Sequence, residues 1–535
     1  MARDMLPAAP VVRRRMWLWI LVGLISFLVV ATVAIIAAVP LTSDALRHRM
    51  VETLSARLEA EVALGDLHWR VFPTVRARGS DLTIRRRGHR DARPLISVSG
   101  FSVEASVAGL LRKRVGHVTL EGLDVEIPPD DDASASVTAR PSRQSENTNA
   151  ATPPMAEGVV IDTLDTKDGQ IVTIPKNKEK SPKVWAIHAL RLRNVGAGQA
   201  MPFEAKLTNA VPPGEIDTAG TFGPWLPDTP GASALEGTFT FARADLSIFH
   251  GISGILSARG NFSGTLGRIG VDGETDTPDF TVKVGGHPFP LHARYRTTVD
   301  GTNGDTILEQ IEAKFLESSL EATGSVIDAK PSAHGRIVTL DVTMDRARIE
   351  DVMMMAVKGD PPMRGALHLK TKFVLPPGET DVVDRLRLDG TFAVGRARFT
   401  NYDVQGRINE LSRRSRGQTA DDPKDRVVSD FQGRFQLGNG RLALPALTFS
   451  VPGAQVELAG GYALKPEMLD FQGRLLMDAK VSETQTGFKS LLLKVVDPLF
   501  KRRGGGSQIP IHVRGKRSDP SIGIDMGRVF KREKP

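Results

Sequence analysis

The side chains that could do chemistry are few in this sequence, and their spacing suits none of it. Two imidazoles grip a metal from one helical face when they stand four residues apart. None of the 11 histidines has that spacing. His287 and His292 come nearest, but Pro288 and Pro290 between them exclude a helix, so they read as surface or strand histidines. Cysteine is absent, which removes disulfides, thiolate metal sites and cysteine nucleophiles together. No Gly-x-Ser-x-Gly elbow presents a serine, and Gly515-Lys516 leads into Arg517 without the upstream glycine of a phosphate loop. The acidic triplet Asp130, Asp131 and Asp132 fits no calcium-loop spacing and reads as solvated charge. Met353, Met354 and Met355 read as helix core rather than as soft-metal ligands. The sequence therefore predicts a non-enzymatic protein with no catalytic residue, no metal and no cofactor.

Composition narrows the remaining classes. At 535 residues the chain holds several domains or one long repetitive assembly. An apolar share of 41% rules out a wholly disordered chain. The 51 glycines and 34 prolines punctuate short apolar runs, which predicts many strands and turns. The charge of +8 comes from 70 basic against 62 acidic side chains spread along the chain, an excess that speaks for solubility more than for an anionic partner. With 3 tyrosines and 5 tryptophans there are no stacking platforms, so nucleic acid is not expected as a partner.

Residues 17–39 carry the membrane signal. From Trp17 to Val39 the only polar side chains are Ser26 and Thr32, and as a helix the segment spans roughly 34 Å, enough to cross a bilayer core. Arg13, Arg14 and Arg15 precede it, predicting a cytoplasmic tail over 1–16, with Trp17 and Trp19 suited to the interface. Arg47, Arg49 and Arg57 on the far side make the charge bias modest, yet large C-terminal domains translocate with little regard to such charges. A cleaved signal peptide fits less well, because the apolar core is too long and Pro40 sits where cleavage is expected.

Beyond the anchor, residues 40–127 read as a helix followed by strands. Leu46, Met50, Leu54 and Leu58 recur every four residues behind the caps Thr42 and Ser43, and short alternating runs fill Leu64 to Ile127. Residues 128–158 hold no Leu, Ile, Phe, Tyr or Trp, and Val137 and Met155 are their only large apolar side chains, which predicts a disordered linker. A second polar break is expected from Arg413 to Arg426.

Period-two alternation dominates residues 159–535. Phe280, Val282 and Val284 share one face, as do Phe289 and Leu291 with Ala293 and Tyr295. Phe435 and Leu437, Phe449 with Leu447 and Val451, and Val456 with Leu458 repeat the pattern, and Ile311 and Phe315 are assigned to the same lining. A short unit recurs at Leu235-Glu-Gly-Thr-Phe-Thr-Phe, Leu388-Asp-Gly-Thr-Phe-Ala-Val, Phe431-Gln-Gly-Arg-Phe-Gln-Leu and Phe471-Gln-Gly-Arg-Leu-Leu-Met. It puts Phe239, Phe241, Leu388, Phe392, Phe471 and Leu475 on the apolar face, together with Gly237, Gly390, Gly433 and Gly473. Each glycine either leaves a notch or bulge that coils the sheet, or simply packs closely under a neighbouring strand. The repetition predicts a serial antiparallel meander of about 25 to 30 strands after the linker. Short helices are expected at Asp245 to Phe249, Ile349 to Ala356 and Phe488 to Leu499, the last followed by Lys501, Arg502 and Arg503 and suited either to a membrane surface or to capping a sheet.

Several blocks together resemble the AsmA family of bacterial envelope proteins. They are the anchor followed by Val39-Pro40 and a helix over Ser43 to Ala60, and Gly65-Asp-Leu-His-Trp-Arg-Val-Phe-Pro73 with its Trp-x-x-Phe-Pro element. Val357-Lys-Gly-Asp-Pro-Pro-Met-Arg-Gly365 leads into Leu375-Pro-Pro-Gly378, and Leu442 to Ile524 contains Val451-Pro-Gly-Ala454 and the glycine-rich Gly504 to Pro510. The resemblance implies an inner-membrane-anchored protein with its bulk in the periplasm, related to bridge-like lipid transfer proteins, with a long curled sheet and no catalytic residues. The expected fold class is thus mainly β: a transmembrane helix, then a curled antiparallel sheet forming a groove, with a few short helices. The expected partners are membrane phospholipids or related envelope lipids, and a periplasmic or outer-membrane protein. Alternation alone leaves a rival open, a structural or regulatory envelope protein whose sheets close into sandwiches with dry cores. An outer-membrane barrel fits poorly with a retained anchor and so few Tyr and Trp for interfacial girdles.

Overall fold

The structure, a computed structural model, describes residues 60–70, 74–86, 94–127, 160–173, 182–196, 198–226, 229–301, 303–329, 335–400, 402–416, 427–478 and 507–524, together with 47, 48, 51, 52 and 55. The expected tail and anchor, the linker over 128–158 and the basic helix at Phe488 to Leu499 lie outside the described residues. Among the described residues no helix is long and apolar enough to cross a membrane.

The chain is mainly β, and its strands belong to one 25-stranded mixed sheet that is not closed. The first ten strands are β1 (Ala60–Ala63), β2 (Leu67–Arg70), β3 (Val75–Arg86), β4 (Ile96–Ala105), β5 (Arg114–Ile127), β6 (Val160–Thr173), β7 (Lys183–Val195), β8 (Met201–Ala210), β9 (Pro213–Phe222) and β10 (Ala234–Asp245). Next come β11 (Ile252–Ser253), β12 (Ile255–Thr265), β13 (Arg268–Val282), β14 (Pro288–Val299), β15 (Thr306–Phe315), β16 (Ser318–Asp328), β17 (Arg336–Arg348) and β18 (Met363–Leu375). The last seven are β19 (Arg387–Phe399), β20 (Ser429–Gly438), β21 (Arg441–Val451), β22 (Ala454–Ala463), β23 (Met468–Met477), β24 (Ser507–Lys516) and β25 (Asp519–Ile524). Among the described residues twenty strands follow residue 159, against the 25 to 30 expected, and most run ten residues or longer.

Local chemistry sets the hairpins. Asn439 and Gly440, at φ 52° and 66°, make the two-residue connection between β20 and β21, with both residues in the left-handed region that a primed turn requires. Pro452-Gly453 joins β21 to β22 with proline ahead of a glycine at φ 84°, the order of a type II turn.

The pairing of β5 with β6 departs from the expected antiparallel sheet in its direction. β5 and β6 run parallel, in register from Arg114 opposite Val160 to Ile127 opposite Thr173. Residues 128–159 connect them, ample length for the return that a parallel pair needs.

Two compact units divide the described chain. The first holds β1 to β10 as far as Ala244 with parts of β12 to β14, and the second holds β11, the rest of β12 to β14, and everything from β15 onward. In the first unit, Leu82, Ile84, Ile96, Val98, Val118, Ile161 and Leu164 form a sealed core under the first six strands. Arg47, His48, Val51, Glu52 and Ser55 lie on the expected N-terminal helix, and Val51 packs on that core. The strand β1 already begins at Ala60, where the helix was expected to end.

In the second unit three helices pack against the apolar face. Ile349–Ala356, found where the sequence predicts it, contributes Ile349, Val352 and Met355 around Phe289 and Phe315. Met353 and Met354 are half-buried on the same helix. Val382–Arg385 buries Val383 against Tyr462 and Leu464. Tyr402–Ser415 buries Ile408, with Leu411 beside it, on Val451, Ala454 and Met477. This last helix takes up Arg413 to Ser415, the start of the expected polar break. The helix expected at Asp245 to Phe249 is a single 3-10 turn over Leu246–Ile248, capped by the Asp245 carboxylate, which accepts the Ser247 N–H at 2.8 Å.

Candidate functional site

Strand register gathers the alternating apolar residues into continuous rows. In the second unit, one row runs Phe373, Leu388, Leu437, Leu442, Tyr462 and Leu469, each directly opposite the next. A second runs Leu369, Phe392, Gly433, Leu447, Leu458, Gly473 and Ile511. A third runs Val394, Phe431, Phe449, Val456, Leu475 and Ile509, with the Phe431 and Phe449 rings 4.7 Å apart. The first unit repeats the pattern with Leu190, Ala205, Thr218 and Phe239, and with Ile187, Leu207, Ile216 and Phe241.

The repeated glycines share the face of these rows, Gly433 and Gly473 within the second of them, and admit close backbone. A Cβ on Gly433 would lie 2.5 Å from the Ala446 carbonyl oxygen and 3.1 Å from the Phe392 ring. On Gly390 or Gly473 it would meet the carbonyl oxygen of Lys370 or Glu457, and on Gly237 it would reach the Phe262 ring at 2.6 Å. Of the two roles the sequence allowed, close approach on the apolar face is the one these positions serve. Phe392 and Phe262 on neighbouring strands lie over the gaps at Gly433 and Gly237, which restores contact that glycine itself lacks.

Burial separates two kinds of apolar surface. Along β4 most of the apolar face is sealed, whereas along β10 the apolar residues from Leu235 to Phe241 are half-buried beside exposed neighbours. Among the predicted lining residues, Phe289 and Phe315 are 2% exposed, and Phe435, Val456 and Phe471 are buried as well. Phe239, Phe241, Phe280, Val282, Val284, Leu291, Ile311, Leu388, Phe392, Leu437, Phe449, Leu458 and Leu475 stay half-buried. Phe280 and Leu291 join the core around Phe289, with the Phe280 and Phe289 rings 5.5 Å apart. Val282 and Val284 pack instead with Val383, Tyr462 and Leu464, and Val284 lies in the turn after β13 rather than in the strand. The sequence reading missed Leu369, Phe373, Leu442, Ile509 and Ile511, although Leu367, Leu369 and Phe373 alternate with His368, Lys370 and Lys372 in the same way.

The opposite face is a charged ladder. Asp165, Arg191 and Glu204 stand in line across β6 to β8, with Arg191 Nε 2.7 Å from the Asp165 carboxylate. That hydrogen bond and charge raise the guanidinium pKa further. Arg474 to Glu457 at 2.6 Å and Arg514 to Asp470 at 3.2 Å continue the pattern in the second unit. An open cleft of about 520 Å³ lies along the first ladder, lined by Asp165, Lys167, Arg191, Glu204, Lys206 and Asp217. Within it Arg191 pairs with Asp165 and Lys206 with Asp217, the latter at 3.2 Å. Among the described residues no group of three or more His, Asp or Glu could hold a metal ion. Comparison with known protein families, with curated proteins and with solved structures finds no match to this chain.

Proposed function

We propose that the protein binds phospholipid or a related envelope lipid on the half-buried apolar rows and guides it away from the membrane that anchors it. The observation that carries this reading is the row structure itself: large apolar side chains in register across many strands, half-accessible where a protein core would seal them. Apolar rows hold hydrocarbon by non-directional attraction, up to ~0.8 kcal/mol for each methylene withdrawn from water, and so allow a tail to slide. The charged ladder on the other face keeps that side in water. The chain's resemblance to the AsmA family and the apolar run from Trp17 to Val39 favour an inner-membrane anchor with the bulk periplasmic. A protein partner on the far side would receive the lipid.

Mass spectrometry of lipids copurifying with the full chain tests the proposal. Bound phospholipid is expected in the wild type and depleted in Phe239→Asp and Leu388→Asp. A stable, folded wild-type preparation free of lipid would overturn it. The sealed core of the first six strands supports a second reading for that part alone, a scaffold acting by contact without carrying lipid.

A further inference from the structure

The helical turn Val107–Leu111, between β4 and β5 of the first unit, exposes apolar side chains that no part of the lipid-binding reading uses. Val107 is 54% and Leu111 80% exposed, while Leu110 is held in the core at 8%. A lone exposed leucine needs no explanation. Here two stand four residues apart, on one side of a helical turn. The turn is firmly built: the Ser106 hydroxyl accepts the Gly109 N–H at 2.9 Å, the Lys113 N–H reaches the Leu110 carbonyl at 3.0 Å, and the Val160 N–H reaches the Lys113 carbonyl at 2.9 Å. Arg112, Lys113 and Arg114 follow at once and are exposed. Asp162 pairs with Arg114, whereas Arg112 makes no ion pair among the described residues.

We propose that this apolar pair and its cations form a tip that seats the first unit on an anionic bilayer surface. Apolar side chains beside lysine and arginine match the boundary between acyl chains and negatively charged headgroups. The N-terminal helix points the same way. Ser55 accepts the Val62 N–H and Arg47 donates to the Gly65 carbonyl, and in strand register Val62 faces Ile84 while Gly65 bonds Ser80. Going from Ser55 back to Arg47 therefore follows β3 toward Val75, which pairs with Ala105, the residue before the Ser106 cap. Arg47 lies only eight positions after Val39, a reach of at most ~28 Å. The proposal rests on the anchor in the preceding reading and not on lipid occupying the apolar rows.

Because the chain has no cysteine, Leu111→Cys can carry a single polarity-sensitive fluorophore in the full chain, reconstituted in phosphatidylcholine bilayers with or without phosphatidylglycerol. With the anionic lipid, the expected result is blue-shifted emission and several-fold stronger quenching by doxyl-labelled lipid than for the same probe at Ile307→Cys, a position 49% exposed. Adding Arg112→Glu and Lys113→Glu should abolish that quenching with circular dichroism unchanged. Water-like emission, or quenching no stronger than at position 307, overturns the proposal. Equal quenching in neutral bilayers overturns its anionic partner, and blue emission without doxyl quenching means that protein covers the tip instead. Failure of the anchor reading would register separately, as loss of the chain from floated vesicles.

Discussion

At Gly433 and Gly438 the same substitution meets opposite surroundings. An added methyl at Gly433 presses on the Ala446 carbonyl and the Phe392 ring, whereas at Gly438 it finds no atom within 4 Å. Gly433→Ala is expected to destabilise the chain by about 1–3 kcal/mol, as overpacking does. Gly438→Ala should stay within about 0.5 kcal/mol. Urea unfolding midpoints compare them. The repeated units made these glycines visible in the sequence, but separating a notch from close approach needed the neighbouring strand's backbone. Asp245 offers a test in pH. Hydrogen bonds from the Ser247 side chain and backbone N–H hold its carboxyl below the usual range. A depressed folded-state pKa stabilises above the ordinary carboxylate value and loses that contribution as pH falls through the depressed one. Asp245→Asn should therefore flatten the acid limb of the unfolding midpoint measured against pH.

Helices show where sequence periodicity succeeds and where it fails. Ile349–Ala356 is legible because its apolar stripe is strong, but its attachment is not. Asp351 is buried and accepts hydrogen bonds from the Ser318 hydroxyl at 2.6 Å and the Glu317 N–H at 3.2 Å, partners more than thirty residues away. Asp351→Ala leaves those donors without an acceptor and should cost about 1–3 kcal/mol, read as a lower melting temperature. The helix Tyr402–Ser415 is a converse case. Its sequence is polar, with a glycine inside, and little beyond Ile408 and Leu411 marks a buried side. Packing on Val451 and Met477 decides it, since tertiary contact supplies most helical stability in proteins.

For the whole molecule, alternation revealed the sheet and its apolar side but not how far that side is covered, because burial depends on which strands and helices come to lie over it. Three aspartate substitutions separate the two environments. Phe315→Asp buries an unpaired charge and should unfold the second unit. Phe239→Asp and Leu388→Asp fall on half-buried surface and should keep native circular dichroism while losing bound lipid. The direction of the β5–β6 pairing was equally hidden, since nothing in either strand's own residues records whether its neighbour runs with it or against it. That one seam has a consequence for growth. The chain returns to its starting end before laying down β6, and the strip added at that margin shares its core with the earlier one through Ile161 and Leu164. Extending such a fabric by another hairpin at the outer border touches a single neighbour and leaves the woven part undisturbed.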